Sequence, residues 1–156
     1  MISIERPGQN NLEIEFILID FEGTLASDRR VHPKAKDKIN LLSKRTKIYI
    51  LTAEEKERVE EALRKVKAEI VYLTRGESSQ KKLDLLRQLG PARTVAIGNG
   101  ADDVSMIDEA GLGVCVLGKE GAFSEAVKRT DVVFLNVLDA LDFLLKPLRQ
   151  KATLGL

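Results

Sequence analysis

Ile17-Leu18-Ile19-Asp20-Phe21-Glu22-Gly23-Thr24-Leu25 is the stretch on which the fold turns. An apolar run closes on a carboxylate, a second carboxylate follows two residues later, and Gly-Thr comes next. Such a run reads as a parallel strand buried on both faces. Open α/β sheets gather their chemistry where strands end at the carboxyl edge. A carboxylate fixed there can attack phosphorus, and a neighbouring acid can handle a proton.

Outward from this stretch, strand and helix patterns alternate. Met1–Arg6 and Leu12–Phe16 flank Pro7-Gly8-Gln9-Asn10, which predicts a hairpin whose second arm runs on into the strand ending at Asp20. Pro33 opens a helix with Ala35, Ile39 and Leu42 on one face. Lys47–Leu51, closing on Thr52, is the next strand, and Val59, Leu63 and Val66 predict a helix over 55–66. Strands are expected at 69–73, 94–98, 112–117 and 131–135, with helices at 79–89, around 104–110 and at 121–128. Gly90 ends the helix at 79–89. One last helix carries Val137, Leu141, Leu144 and Leu148 inward, with Pro147 near its end. The expected fold class is therefore α/β: a three-layer α/β/α Rossmann-like sheet, mostly parallel, with an N-terminal β-hairpin.

Composition narrows the partners. The chain has 156 residues, 44% of them apolar, which suits one domain with a substantial core. Lys and Arg number 25 against 24 Asp and Glu, so a net charge of +1 leaves no electrostatic footprint for nucleic acid. No window approaches the ~18 apolar residues of a membrane span. The start lacks the apolar centre of a signal peptide, so a cytoplasmic setting is expected. Cys115 lies in an apolar run and reads as a buried small side chain, and His32 stands alone, which argues against zinc.

Polar residues cluster at the strand ends. Asp20 and Glu22 follow the first buried strand, and Thr52-Ala53 follow the second. Lys81-Lys82 stand early in the helix after the third. Gly98-Asn99-Gly100-Ala101-Asp102-Asp103 follow the fourth. A parallel sheet brings these ends into one crevice. Together they offer a nucleophile, a hydroxyl donor, a cation and metal-binding carboxylates, the set that phosphoryl transfer requires. Taken singly the members are less telling. Thr52 alone fits a helix cap ahead of Glu54-Glu55, and Asp102-Asp103 fit the first turn of a helix.

Over roughly residues 14–135 the chain resembles the haloacid dehalogenase (HAD) superfamily of phosphohydrolases. It is most similar to soluble, capless relatives of the P-type ATPase phosphorylation domain. The Asp-x-Asp-Gly-Thr motif reads Asp20-Phe21-Glu22-Gly23-Thr24, and the strand-ending Thr is Thr52. The Lys is Lys82, with Lys81 as the second choice. The Gly-Asp-Gly-x-Asn-Asp loop reads Gly98-Asn99-Gly100-Ala101-Asp102-Asp103. The resemblance implies one catalytic domain spanning 1–156 and an aspartyl-phosphate on Asp20, with Glu22, Thr52 and Lys82 completing the catalytic set. It implies substrate contacts from Gly23, Thr24, Ala53, Lys81 and Gly100. It also implies Mg2+ held among Asp20, Glu22, Asn99, Asp102 and Asp103. The short stretches after Leu25 and after Leu73 hold no cap domain, so the expected substrates are phosphorylated small molecules or macromolecules, or the crevice is covered by a neighbour in an oligomer.

Two positions depart from the family pattern. Glu22 stands where hydrolases carry Asp. Its added methylene, a displacement of ~1 Å, can cost on the order of 100-fold in rate. Either Glu22 still serves the leaving group and the attacking water, or it points away and the phospho-enzyme persists. Asn99 stands where a metal-binding Asp is usual, which predicts weaker magnesium affinity, with Asp102 partly compensating. The rival to a phosphatase is a phosphate- or magnesium-binding regulatory module with poor turnover. A receiver domain fits less well, because Leu73-Thr74 offers no Asp after the third strand.

Overall fold

The computed structural model describes residues Met1 to Leu156. Strands β1 (Ile2–Ile4) and β2 (Leu12–Ile14) pair antiparallel as a separate two-stranded sheet. Six further strands form the main sheet: β3 (Phe16–Asp20), β4 (Lys47–Thr52), β5 (Glu69–Tyr72), β6 (Thr94–Gly98), β7 (Leu112–Val116) and β8 (Val132–Phe134). Their order is β5-β4-β3-β6-β7-β8, and every pairing is parallel. The chain winds outward from β3 to β5, then returns to β6 on the other side. The order thus reverses beside β3, and the crevice of such a sheet opens at that point.

Helices α1 (Pro33–Leu42), α2 (Lys56–Ala62), α3 (Ser78–Leu89), α4 (Val104–Glu109), α5 (Ser124–Arg129), α6 (Val137–Leu145) and α7 (Pro147–Leu154) complete the chain. None is long and apolar enough to cross a membrane. The period-two alternation of the strands sorts their side chains between two faces. Ile17, Ile19, Ile48, Ile50, Val95 and Ile97 join the larger core under α1, α2 and α6. Leu18, Tyr49, Leu51 and Ala96 join a smaller core under α3 and α4. Asp20 shares the parity of Leu18, so the alternation directs it to the α3 side. His32 has a structural role: its Nδ1 accepts from the Lys34 N–H at 3.0 Å and caps α1 ahead of Pro33.

The sequence-based elements need four corrections. The second hairpin arm does not run on into β3, because Glu15 intervenes. Its N–H donates to the Arg93 carbonyl, and its own carbonyl accepts from Lys47. The helix expected over 55–66 ends at Ala62, and Lys65 takes a φ of 65° in the turn that follows. The helix expected from Gly121 begins at Ser124, since Gly121 has a φ of 75° and cannot start one. The single closing helix is two, broken at Lys146. Pro147 supplies no N–H and disfavours helical backbone in the residue before it. Leu148 consequently points outward at 80% exposure. Gln150 is buried in its stead and donates to the Phe143 carbonyl at 2.7 Å.

Candidate active site

Asp20 closes β3 and is buried. The Lys82 ammonium, projecting from α3, donates to Asp20 Oδ1 at 2.7 Å, Asp103 Oδ1 at 2.8 Å and Asp102 Oδ2 at 2.9 Å. Three acids therefore hold one lysine, whose side chain is 2% exposed. Lys81, one residue earlier, lies on the exposed surface of the same helix. One helical residue is a rotation of about 100°. Leu83 and Leu86 face the smaller core and turn Lys82 toward the sheet edge. Ser78, at the start of α3, donates to Asp102 Oδ2 at 2.9 Å; nothing in the sequence pattern had marked it.

The loop after β6 is folded around Asp103. Its Oδ2 accepts from the main-chain N–H groups of Asn99 and Gly100, both at 3.0 Å, while Oδ1 takes Lys82. Asp103 is completely buried, so it both fixes the loop and seats the lysine. This close packing requires the glycine at position 98. A Cβ there would lie 2.4 Å from Asp103 Cγ. Gly100, by contrast, has a φ of −101°, and a Cβ there would meet Asp102 Oδ1 at 3.3 Å, a close contact that a shift of that side chain would have to relieve.

Thr24 is buried, with its hydroxyl 3.2 Å from Asp20 Oδ2 and 2.9 Å from Asn99 Oδ1. Its single proton serves one acceptor at a time. The Asn99 amide donates to the Gly121 carbonyl at 3.1 Å. Gly23 has a φ of 76°, and a Cβ there would lie 2.9 Å from Asn99 Nδ2 and 2.2 Å from Glu120 Oε2. Glu120, from the loop after β7, thus reaches over the Gly23 backbone. No motif announced it.

The Glu22 carboxylate turns onto the end of β4, where it has specific partners. Glu22 Oε1 accepts from the Thr52 hydroxyl and from the Ala53 N–H at 3.1 Å. Thr52 Oγ1 in turn accepts from the Glu54 N–H at 3.0 Å. Thr52 does not cap α2, whose first turn receives no side-chain cap.

Electrostatics follow from the shortage of positive charge. Burial and then the nearby Asp103 push the Asp20 carboxyl well above the usual range, against the pull of Lys82. Burial and Asp102 raise Asp103 likewise. Burial works against charge on Lys82, but Asp103 and Asp20 outweigh it and hold the ammonium charged. Asp102 is only half-buried; burial opposes its ionisation, and Lys82 and Ser78 still bring its carboxyl below the ordinary value. Three carboxylates around one ammonium leave an excess negative charge that a divalent cation would neutralise. Oxygens of Asp20, Asp102 and Asp103 lie within 4.8 Å of one another, a spacing that fits a metal ion. All are hard oxygen donors, the kind magnesium prefers.

The parallel sheet that reverses beside β3 is shared with solved structures named as a HAD-superfamily hydrolase and an octulosonate 8-phosphate phosphatase. The magnesium- and phosphate-bound 3-deoxy-D-manno-octulosonate 8-phosphate phosphatase of Moraxella catarrhalis superposes with a TM-score of 0.70. That match covers 89% of this chain and 88% of that one at 14% identity. The cobalt-bound Haemophilus influenzae enzyme of the same name gives 0.69, covering 85% and 88% at 17% identity. A HAD-superfamily (subfamily III A) hydrolase from Legionella pneumophila gives 0.71, covering 90% and 86% at 18% identity. At these identities the likeness is one of fold. No family model matches the chain. An uncharacterized protein of Methanocaldococcus jannaschii is 40% identical over 82 residues, which is 50% of this chain and 88% of that protein. The chain belongs to the family of that archaeal protein.

Proposed function

We propose that the chain is a magnesium-dependent phosphatase that cleaves phosphate monoesters through Asp20. The observation that carries this reading is the buried Asp20–Lys82 pair at the sheet's carboxyl edge, 2.7 Å apart and bordered by Asp102 and Asp103. Asp20 Oδ2 is the attacking atom. It forms a bond to phosphorus as the ester oxygen departs, and water then hydrolyses the acyl phosphate. Lys82 screens charge on the phosphoryl oxygens and keeps Asp20 oriented. The Thr52 hydroxyl and Ala53 N–H are placed to hold another oxygen. Glu22 is the proton carrier for the leaving group. Asp20, Asp102, Asn99 and the Glu22 main-chain carbonyl would hold magnesium, with Asp103 acting through the loop it folds. Magnesium, when bound, supplies the charge that neutralises the acids and the phosphoryl group.

Several observations support a compact substrate or a phosphorylated group presented by a larger partner. The connections at 21–32 and 73–77 carry only turns and isolated bridges, which agrees with a capless, P-type ATPase-like architecture. The octulosonate 8-phosphate enzymes share the fold and are named for a phosphorylated sugar acid.

The test is p-nitrophenyl phosphate hydrolysis with magnesium or EDTA, beside Asp20→Asn. Magnesium-dependent turnover lost in Asp20→Asn is the expected result. Turnover that survives the substitution would sink the proposal. Glu22's engagement with Thr52 favours a second reading, a phosphate-sensing module. Magnesium-dependent capture of beryllium fluoride without turnover would select it.

A further inference from the structure

Two donors meet on one oxygen of Glu22: the Thr52 hydroxyl and the Ala53 N–H. Thr52 is fully buried and its oxygen already accepts from Glu54, so its proton is aimed at Glu22. A hydroxyl and a main-chain N–H converging at the end of a strand would receive a phosphoryl oxygen in the same way. Both ligands are anions, and the donors can serve only one of them.

We propose that Glu22 is a built-in competitor of the phosphoryl group: its carboxylate occupies the Thr52 and Ala53 donors, and phosphate binds only as Glu22 leaves. This rests on the phosphatase reading and adds a control to the same site. The methylene that distinguishes glutamate from aspartate gives the carboxylate its reach. An aspartate would fall short by one carbon–carbon bond, about 1.5 Å.

The displaced side chain has a destination. A cavity of about 290 Å³ borders Glu22, and Arg29, Glu54 and Glu120 share its wall. Arg29 is the cation among its lining residues. It is carried by a tight turn in which Asp28 and Arg29 take φ values of 52° and 65°, closed by paired Ser27–Arg30 main-chain bonds of 2.9 and 3.0 Å. Asp28, Glu54 and Glu120 oppose a fourth carboxylate there, so Glu22 is drawn back when phosphate departs. Displacement also frees its carboxylate for the leaving group, tying proton transfer to substrate occupancy.

The test is calorimetric titration of inorganic phosphate, in magnesium buffer, into wild type, Glu22→Asp, Glu22→Ala and Glu120→Ala. Glu22→Asp keeps the charge and loses the reach. Glu120→Ala removes a charge from the same mouth and frees no donor. The expected result is about tenfold tighter phosphate binding by both Glu22 variants, the scale of one charge-assisted hydrogen bond, with a much smaller gain in Glu120→Ala. Wild-type affinity in Glu22→Asp overturns the proposal, as does an equal gain in Glu120→Ala. Equal affinity in all four proteins removes the competitor alone and leaves the phosphatase reading standing. Phosphate binding by none of them removes both. If Glu22→Ala loses its cooperative melt, Glu22→Asp decides the outcome.

Discussion

The two faces of the main sheet differ in kind. The face under α1, α2 and α6, continued by the hairpin, holds a core of 27 buried apolar residues. The face under α3 and α4 holds a core of 8, with Ile107, Cys115 and Ala126 as a separate group of 3 toward α5. The buried charges, Asp20, Lys82 and Asp103, meet at the edge of the thinner face, which α3 and the loop after β6 overlie. Burying an ion pair stabilises little, because desolvation consumes most of the attraction. Apolar burial on one side therefore supports a site on the other that contributes little to holding the chain together. Even the segment bearing Glu22 is rooted in the thicker core, through Phe21, Leu25, Ala26 and Val31.

This division can be broken by substitution. Lys82→Met, which leaves three acids without their cation, should cost about 3–5 kcal/mol in magnesium-free denaturant unfolding and abolish turnover. A variant as stable as wild type would contradict the account of the thinner face. Next, Ile39→Ala and Leu86→Ala should each cost about 3 kcal/mol, as both delete fully buried methyl groups. Their kinetics should diverge. Ile39→Ala keeps wild-type turnover below its melting temperature, whereas Leu86→Ala loses activity there, because its helix carries Lys82. Equal kinetic damage would erase the distinction between the faces. Smaller still, Asn99→Asp should lower the half-saturating magnesium concentration about tenfold by adding a ligand charge, read from activity against magnesium.

The smallest effect belongs to the Lys38–Asp142 pair, 2.6 Å apart between α1 and α6. Lys38 holds the Asp142 carboxyl below its ordinary value. Its contribution is present above the unfolded carboxylate range and is lost as pH falls through the lowered value. Asp142→Asn should cost under about 1 kcal/mol at pH 7 and less in acid, by thermal melting. Any larger loss would mean that the thicker core leans on charge.

The strand ends were legible because their chemistry follows directly from chain order. Once a parallel sheet is accepted, Asp20, Thr52, Lys82 and the 98–103 loop must share an edge. The preference for Lys82 over Lys81 rests on matching Leu85, Leu86 and Leu89 to the helix of the resembled family, and the two lysines do differ, Lys82 being buried and Lys81 exposed. The partners were not legible. Nothing in a one-dimensional pattern says that Asp103 will turn back on Asn99 and Gly100, or that Gly98 is needed to let it. The turn of Glu22 onto Thr52 and Ala53 depends on one methylene and on a strand pairing 30 residues away. Glu120 sits in a loop that carries no periodicity. The break at Lys146 was within reach, since a proline follows it, but the apolar spacing of Val137, Leu141, Leu144 and Leu148 ran across the boundary.

The lysine seat has a consequence for how the molecule assembles. Lys82 and Asp20 are 62 residues apart, and Lys82 and Asp103 are 21 apart. No local segment can provide that seat, and an ammonium stripped of water before its acids arrive would be strongly disfavoured. The seat is therefore expected to close late, after β3 and β6 have paired. On the phosphatase reading, a nascent or partly refolded chain would have no phosphate chemistry until that last desolvation is complete.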